Sequence, residues 1–439
     1  MTRSTRFRAI IAVSAMTAIS LTACGSQSSS SSSSGASAPG VTANSVLLGS
    51  TQPLTGVAAP GYDEIAPAAQ AYFNFINAQG GINGRKITLK YVDDGYNPTQ
   101  TVTQTRQLVL QDKVFAMLGA LGTPTHTKVV DFLNSERVPD LFVASGCICW
   151  NAPQQHPETF GWQPDYLIEG KILGQYINQN FAGKKVAYFY QDDDFGKNGI
   201  QGLDQNIPKN LVTTRQPYQP GTTNIAAQVT AIAATKPAVV VLDTVPAYTA
   251  LFKLTALKLG FSPTMVVSNV GSDPLTLEGL LQADAKSAGS SISQPSQLIE
   301  GMITDTYLPS LGDTSNSWIT LFKQIHDKYL AKLPFDGNVA YGMAVAYTFA
   351  QTLQAAGKNP TRQGLIDALQ KGGLTGPGLV PYRYSATDHS GFTGVQVGTI
   401  KSGVLVPTGT PLTTDDANGP ITPYTNTPAT APANGIPTG

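Results

Sequence analysis

Charge is scarce in this 439-residue chain: 13% of residues are Asp, Glu, Lys or Arg, and acid and base cancel to a formal net charge of zero. No basic field of the kind a nucleic-acid binder needs can be assembled from it, which excludes nucleic acid as a partner. Histidine is scarcer still. The four histidines, His126, His156, His326 and His389, are scattered, and neither H-E-x-x-H nor G-x-S-x-G occurs, so no zinc protease site and no nucleophile elbow is present. The nearest approach to a catalytic cluster is Asp388-His389-Ser390-Gly391. Contiguous residues in a turn do not form a triad, so a surface hydrolase is the weakest reading, and the chain reads as a non-enzyme without cofactor or metal. Of the three cysteines, Cys147 and Cys149 stand one residue apart. A disulfide across one residue would be strained and no histidine adjoins them, so they read as two small apolar thiols beside a pocket, with a redox pair as the other reading. No apolar run is long enough to span a bilayer comfortably.

What is present begins with two unusual ends. Arg3, Arg6 and Arg8 precede a short apolar run from Ala9 to Leu21 and a group of small residues, the pattern of a secretory signal over residues 1–23. Leu21-Thr22-Ala23-Cys24 resembles a bacterial lipobox, which implies lipidation of Cys24 and a membrane attached through that lipid. The Ser-rich stretch that follows, with an unbroken serine run from Ser28 to Ser34, cannot bury apolar surface and reads as a flexible tether through residue 43. At the other end, residues 407–439 are rich in proline and threonine and read as a disordered or wall-embedded tail.

Between the ends, apolar runs of strand length alternate with helical periodicity. The stretch from Val114 to Trp150 reads strand, loop, helix, strand, and small polar residues follow each strand: Gly122-Thr123-Pro124-Thr125 after the first and Ser145-Gly146-Cys147 after the second. Ligands of open parallel sheets bind beyond the carboxyl ends of the strands, where such loops converge, so these two loops read as half of a small-molecule site. VLLGS from Val46 and Ile87 to Asp93 supply further strands before it. After Trp150 the pattern restarts with KVAYFY, a strand near Val212 to Tyr218, AVVVL and MVVS, separated by helices. Two parallel sheets of similar architecture, an α/β fold in two lobes, follow from that alternation. Helices at about Asn316 to Lys332, Gly337 to Ala356 and Thr361 to Gln370, and a final edge pair ending in GVQVGTI, complete the globular part.

PLTG after the first strand, NAQGGINGRKITLKYVDDGYNP, the Val114 to Trp150 unit and YQDDDFGKNG together resemble the leucine/isoleucine/valine-binding family of extracellular solute receptors for ABC transporters, over about Val46 to Ile400. The resemblance implies the type I periplasmic-binding-protein fold: two Rossmann-like lobes with parallel sheets joined by a three-strand hinge. It places lobe 1 at 44–163 plus about 301–375 and lobe 2 at about 164–300 plus 376–406. It also implies an extracytoplasmic, lipid-anchored receptor that traps a small solute by hinge closure and hands it to an ABC permease, a sensor coupled to a membrane kinase being the alternative. Carried over, Gly122, Thr123, Ser145, Gly146 and Cys147 match positions that hold a ligand carboxylate, and Phe195 matches an aromatic packing on the ligand from lobe 2. Thr55, Tyr62, Gln163, Tyr166 and Thr244 are further candidates, with Trp150 and Trp162 near the cleft. Asn269 departs from the pattern: members that bind α-amino acids have Glu there for the ligand ammonium, and an amide cannot neutralise a buried cation. Unless Asp243 or one of Asp192 to Asp194 replaces it, a ligand without an ammonium group, a carboxylate or amide, is expected.

Overall fold

The computed structural model describes residues 38–289 and 291–437; the signal, Cys24 and most of the serine tether lie outside them. No helix among the described residues is long and apolar enough to cross a membrane.

The first lobe starts with β1 (Ser45–Gln52), α1 (Ile65–Asn77) and β2 (Lys86–Asp93). α1 buries Ala68, Ala69, Tyr72, Phe73 and Ile76 on one face. It closes at Gly80 and Gly81, which take positive φ of 106° and 72°; at Gly81 a Cβ would stand 2.0 Å from the Arg85 carbonyl oxygen, so only glycine turns the chain here. Next come α2 (Pro98–Arg106), capped by the Asn97 side chain with Pro98 in the first turn, then β3 (Ala116–Leu118), the short α3 (Thr123–His126) and α4 (Val130–Ser135), β4 (Asp140–Val143) and β5 (Thr159–Gly161). The strands form a sheet of order β2-β1-β3-β4-β5, parallel throughout.

The second lobe opens with α5 (Tyr166–Asn180), capped by Asp165. It continues through β6 (Val186–Gln191), α6 (Asp194–Leu203), β7 (Val212–Tyr218), α7 (Ala226–Ala234), β8 (Val239–Asp243), α8 (Pro246–Lys258), β9 (Thr264–Val267), α9 (Pro274–Ser287), α10 (Pro295–Ile299) and β10 (Ile303–Thr306). The chain then builds α11 (Ser317–Tyr329), α12 (Gly337–Ala355) and α13 (Arg362–Gln370). These return to the first lobe: Tyr72 and Phe73 of α1 meet Phe322, Tyr347 and Phe349 edge to face. β11 (Gly394–Lys401) comes back antiparallel to β10, with β12 (Val404–Pro407) beside it. Both β10 and β11 therefore belong to the second sheet.

The two lobes are joined at three places: between Gly161 and Tyr166, after Thr306 and before Gly394. The three meet in one aromatic cluster, in which Trp162 packs edge to face on Tyr307, Tyr341 and Phe392. Phe392 N also donates to the Trp162 carbonyl at 2.9 Å.

The far end corrects an expectation. Residues 407–437 are ordered and carry β13 (Leu412–Thr413) and β14 (Thr422–Pro423), which extend the second sheet beyond β11. They supply acceptors to donors buried elsewhere. Lys171 Nζ of α5, 2% exposed, donates to the carbonyls of Asp415, Ala417 and Gly419 and to the Asp415 carboxylate, at 2.8 to 3.3 Å. On the first lobe Trp318 Nε1 donates to the Ala429 carbonyl at 2.6 Å, and the Tyr72 hydroxyl donates to that of Gly435. The segment runs from one lobe to the other. A stretch too poor in apolar residues to make its own core is ordered because it completes hydrogen bonds of a core already present.

Candidate functional site

A cavity of about 390 Å³ lies between the lobes, within the range of small-molecule sites. The first lobe contributes Tyr62 from the turn before α1, Tyr96 from the β2–α2 loop, Gly122 and Thr123 at the start of α3, and Gly337 to Tyr341 at the start of α12. The second contributes Tyr166, Phe195, Val245, Asn269, Val270, Ser272 to Leu275, and Asp305 and Thr306; the connections contribute Gln163 and Tyr307 to Gly312. Gly122 holds φ at 109°, and a Cβ there would stand 2.4 Å from Thr125 Oγ1 and 2.6 Å from the Tyr96 ring. Glycine is what lets the loop and the Tyr96 ring share this wall.

The lobes touch across the cavity. The Tyr62 hydroxyl donates to the Val270 carbonyl at 2.6 Å, Gln191 Nε2 reaches the Tyr96 hydroxyl at 3.2 Å, and Gly337 N donates to Asp273 Oδ2 at 2.9 Å. Asp273 caps α9 and Asp336 caps α12, so two helix starts face each other across the seam, with Glu64 beside them. Burial, then the charge of Asp336, holds the Glu64 carboxyl up at about 9. Burial, then Asp273, raises Asp336 to about 6.

Seven residues singled out in the sequence border this cavity: Tyr62, Gly122, Thr123, Gln163, Tyr166, Phe195 and Asn269. Five do not. Ser145 lies behind Thr123, with their hydroxyls 2.7 Å apart, and with Gly146 and Cys147 it lines a separate void of about 10 Å³. The Tyr166 hydroxyl stands beside Thr123 and Ser145, and burial pushes it up to about 12. The intended carboxylate cradle is thus filled by a tyrosine of the protein itself. Thr55 is exposed and donates to Asp93 Oδ2 at 2.6 Å; Thr244 is buried against Thr249 at 2.6 Å.

The cysteines are not free thiols: Cys147 and Cys149 form a disulfide. Trp150 sits edge to face on His126, away from the cavity, and Trp162 lies in the hinge cluster. Asp193 caps α6 by accepting from Phe195 N. Asp243 does not border the cavity; it is buried against Gly199, and burial keeps its carboxyl well above the ordinary range. His389 stacks on Phe160, with centroids 3.7 Å apart, and its Nδ1 bonds the Thr159 carbonyl, which is a structural role.

The residues behind Asn269 carry the electrostatics, and the sequence reading passed over them. Glu169 Oε1 accepts from Asn269 N at 2.8 Å and from its Nδ2 at 2.9 Å, and Asp305 Oδ1 accepts from the same Nδ2 at 3.1 Å. Glu169 and Asp305 are 3% and 2% exposed. Burial raises the Glu169 carboxyl, and burial first and the charge of Glu169 second hold Asp305, hydrogen-bonded to it, well above the usual carboxyl range. The only sequence signal was Glu169 among the apolar residues of α5; β10, with the sequence ITDT, gives no such contrast.

Comparison with known proteins bears on this architecture. Leu/Ile/Val-binding protein homolog 3 of Brucella melitensis is 28% identical over 182 residues, 38% of this chain and 45% of that protein. An amino acid binding protein of Pseudomonas aeruginosa is 29% identical over 162 residues, 35% and 40% respectively. The chain thus spans less than half the length of these curated relatives. Among solved structures, a fatty acid ABC transporter substrate-binding protein from Thermomonospora curvata superposes with a TM-score of 0.75 at 22% identity, over 88% of this chain and 98% of that one. A branched-chain amino acid ABC transporter from Thermus thermophilus, with bound valine, gives 0.72 at 19% identity, over 85% and 97%. At such identity these two speak for the two-lobed fold alone. The periplasmic binding protein family model matches residues 45–404, nearly the whole of both lobes and their three connections, and the chain therefore belongs to the periplasmic binding protein family.

Proposed function

We propose that this chain is an extracytoplasmic solute receptor, anchored through lipid on Cys24, that traps a small molecule between its lobes and delivers it to an ABC permease. The observation that carries the reading is the cavity of about 390 Å³ between two lobes that touch through Tyr62 and Val270. A solute seated there contacts both lobes only when they are closed, and that differential contact is what shifts the open–closed balance. The related chains bear names that refer to amino acids and, in one case, fatty acids, so an amphipathic solute with an apolar body suits walls rich in tyrosine, leucine and phenylalanine. Phe195, Tyr62, Tyr166 and Thr123 are the residues proposed to touch it.

The test is thermal unfolding of the full chain against a panel of amino acids, amines, carboxylates and amides. A ligand at about 100 times its Kd adds about 2.7 kcal/mol to the folded state, a readable rise in midpoint. No rise with any solute sinks the receptor reading. Incorporation of labelled fatty acid in cells, lost in Cys24→Ala, tests the anchor.

A further inference from the structure

The cavity has acid on its wall and no base. Asp273 and Asp305 border it; among the described residues no lysine, arginine or histidine does. Asp305 Oδ2 accepts from no N–H or hydroxyl among the described residues, and its side chain, 98% buried, pairs with the Glu169 carboxyl. Asn269 spends its Nδ2 on Glu169 and Asp305, which fixes the amide and leaves its Oδ1, an acceptor, for the cavity. The hydroxyls that would receive an anion are spent on one another, Thr123 with Ser145 and with Tyr166 beside them. Among the aliphatic residues of the remaining wall stand Tyr62, Tyr96, Tyr166, Phe195, Tyr307 and Tyr341, aromatic rings of the kind that attract a cation.

We propose that the solute is a net cation, an alkyl- or aralkylammonium without a carboxylate, whose charged head sits against Asp305 and Asn269 with Glu169 as the buried countercharge. This rests on the receptor reading and names its substrate class. It reverses the expectation drawn from Asn269 alone, since the missing acid is supplied from α5 and β10 instead. Burial raises the carboxyls of both Glu169 and Asp305, so without a cation beside them neither carboxylate is favoured. An ammonium head at this wall supplies the countercharge that lets one of the two carboxyls ionise. A carboxylate head would meet Asp273 and Asp305 instead.

The experiment is titration calorimetry on the full chain with four probes of one frame, phenethylamine, phenylacetamide, phenylacetate and phenylalanine, and with hexylamine against hexanoate. The amines should bind at least tenfold more tightly than the amide, and the carboxylates should not register. Glu169→Gln should weaken the amines at least tenfold and leave the amide within about threefold. Asp305→Asn, which keeps the Glu169 carboxyl, should cost less than Glu169→Gln. Should Glu169→Gln fail to fold, the wild-type ranking decides alone. Phenylalanine or a carboxylate binding as tightly as the amines, or amines silent while another probe binds, overturns the ammonium proposal and leaves the receptor standing. Silence for all six probes overturns this proposal, and the wider thermal panel then decides whether the receptor reading falls with it.

Discussion

Tyr62 shows how much one hydroxyl does here. Its ring was recognisable as a candidate from the first loop, yet its bond to the Val270 carbonyl joins residues 208 positions apart, and no local pattern reports such a pairing. Tyr62→Phe keeps the ring and loses the bond. A hydrogen bond of this kind is worth about 0.5–1.5 kcal/mol, so solute affinity should fall by about 2- to 12-fold, mostly as faster release; calorimetry and stopped-flow dissociation would read it, and an unchanged off-rate would deny Tyr62 the role of latch. Glu64 offers a test by pH. Its carboxyl sits at about 9 in the folded chain against 4.5 for a free glutamate, so between those values the folded state holds a proton that the unfolded chain has lost. Stability from this group is complete below about pH 4.5 and drains away as pH rises through 9; Asp336, at about 6, drains earlier in the same direction. Unfolding midpoints of wild type should therefore fall from pH 5 to pH 9, and Glu64→Gln should flatten that slope.

At the scale of elements, strands and long helices were readable because their apolar period is plain: AVVVL became β8, and Gly337 to Ala355 became α12. α9 was not read. DPLTLEGLLQADAKS carries a capping Asp273 and Pro274 at its start, but its buried positions are only Thr276, Leu277, Leu281 and Ala285, too sparse to announce a face. The last thirty residues were misread for a related reason. Composition measures whether a segment can build its own core, whereas Leu412, Ile421, Tyr424 and Ile436 add themselves to a core made elsewhere. Ending the chain after Pro407 uncovers Lys171, Trp318 and Tyr72 and should lower stability by about 2–5 kcal/mol, given that burying one large apolar side chain contributes about 1.5–3 kcal/mol. Denaturant unfolding of the shortened chain checks this; an unchanged midpoint would return the segment to the status of a tail.

For the molecule as a whole, the two sheets were legible, since strands alternating with helices leave few topologies, whereas the three connections came from the family resemblance alone. Of the two loops read as a half-site, the first borders the cavity through Gly122 and Thr123 and the second lines a separate void. That difference was not legible, because burial decides which hydroxyl faces a cavity and which faces its neighbour: Thr123 borders the space, and Ser145, equally suited by type, is spent behind it. If the closed arrangement depends on solute, the solute-free chain should be more extended, and small-angle scattering should show a smaller radius of gyration once a binding solute is added. Equal radii would mean that closure needs no solute.

The crossing of residues 407–437 from one lobe to the other has a practical consequence for watching that motion. Gln79 Nε2, just past α1, donates to the Asn434 carbonyl at 3.0 Å, and Arg85 Nε, a short turn away, donates to the Thr42 carbonyl at 2.9 Å. Both ends of the described chain are thus fastened to the same side of the first lobe. A pair of fluorophores placed at those two ends would ride together and report nothing while the lobes part. One of the pair has to be moved onto α7 or α8 for the distance to change with the hinge.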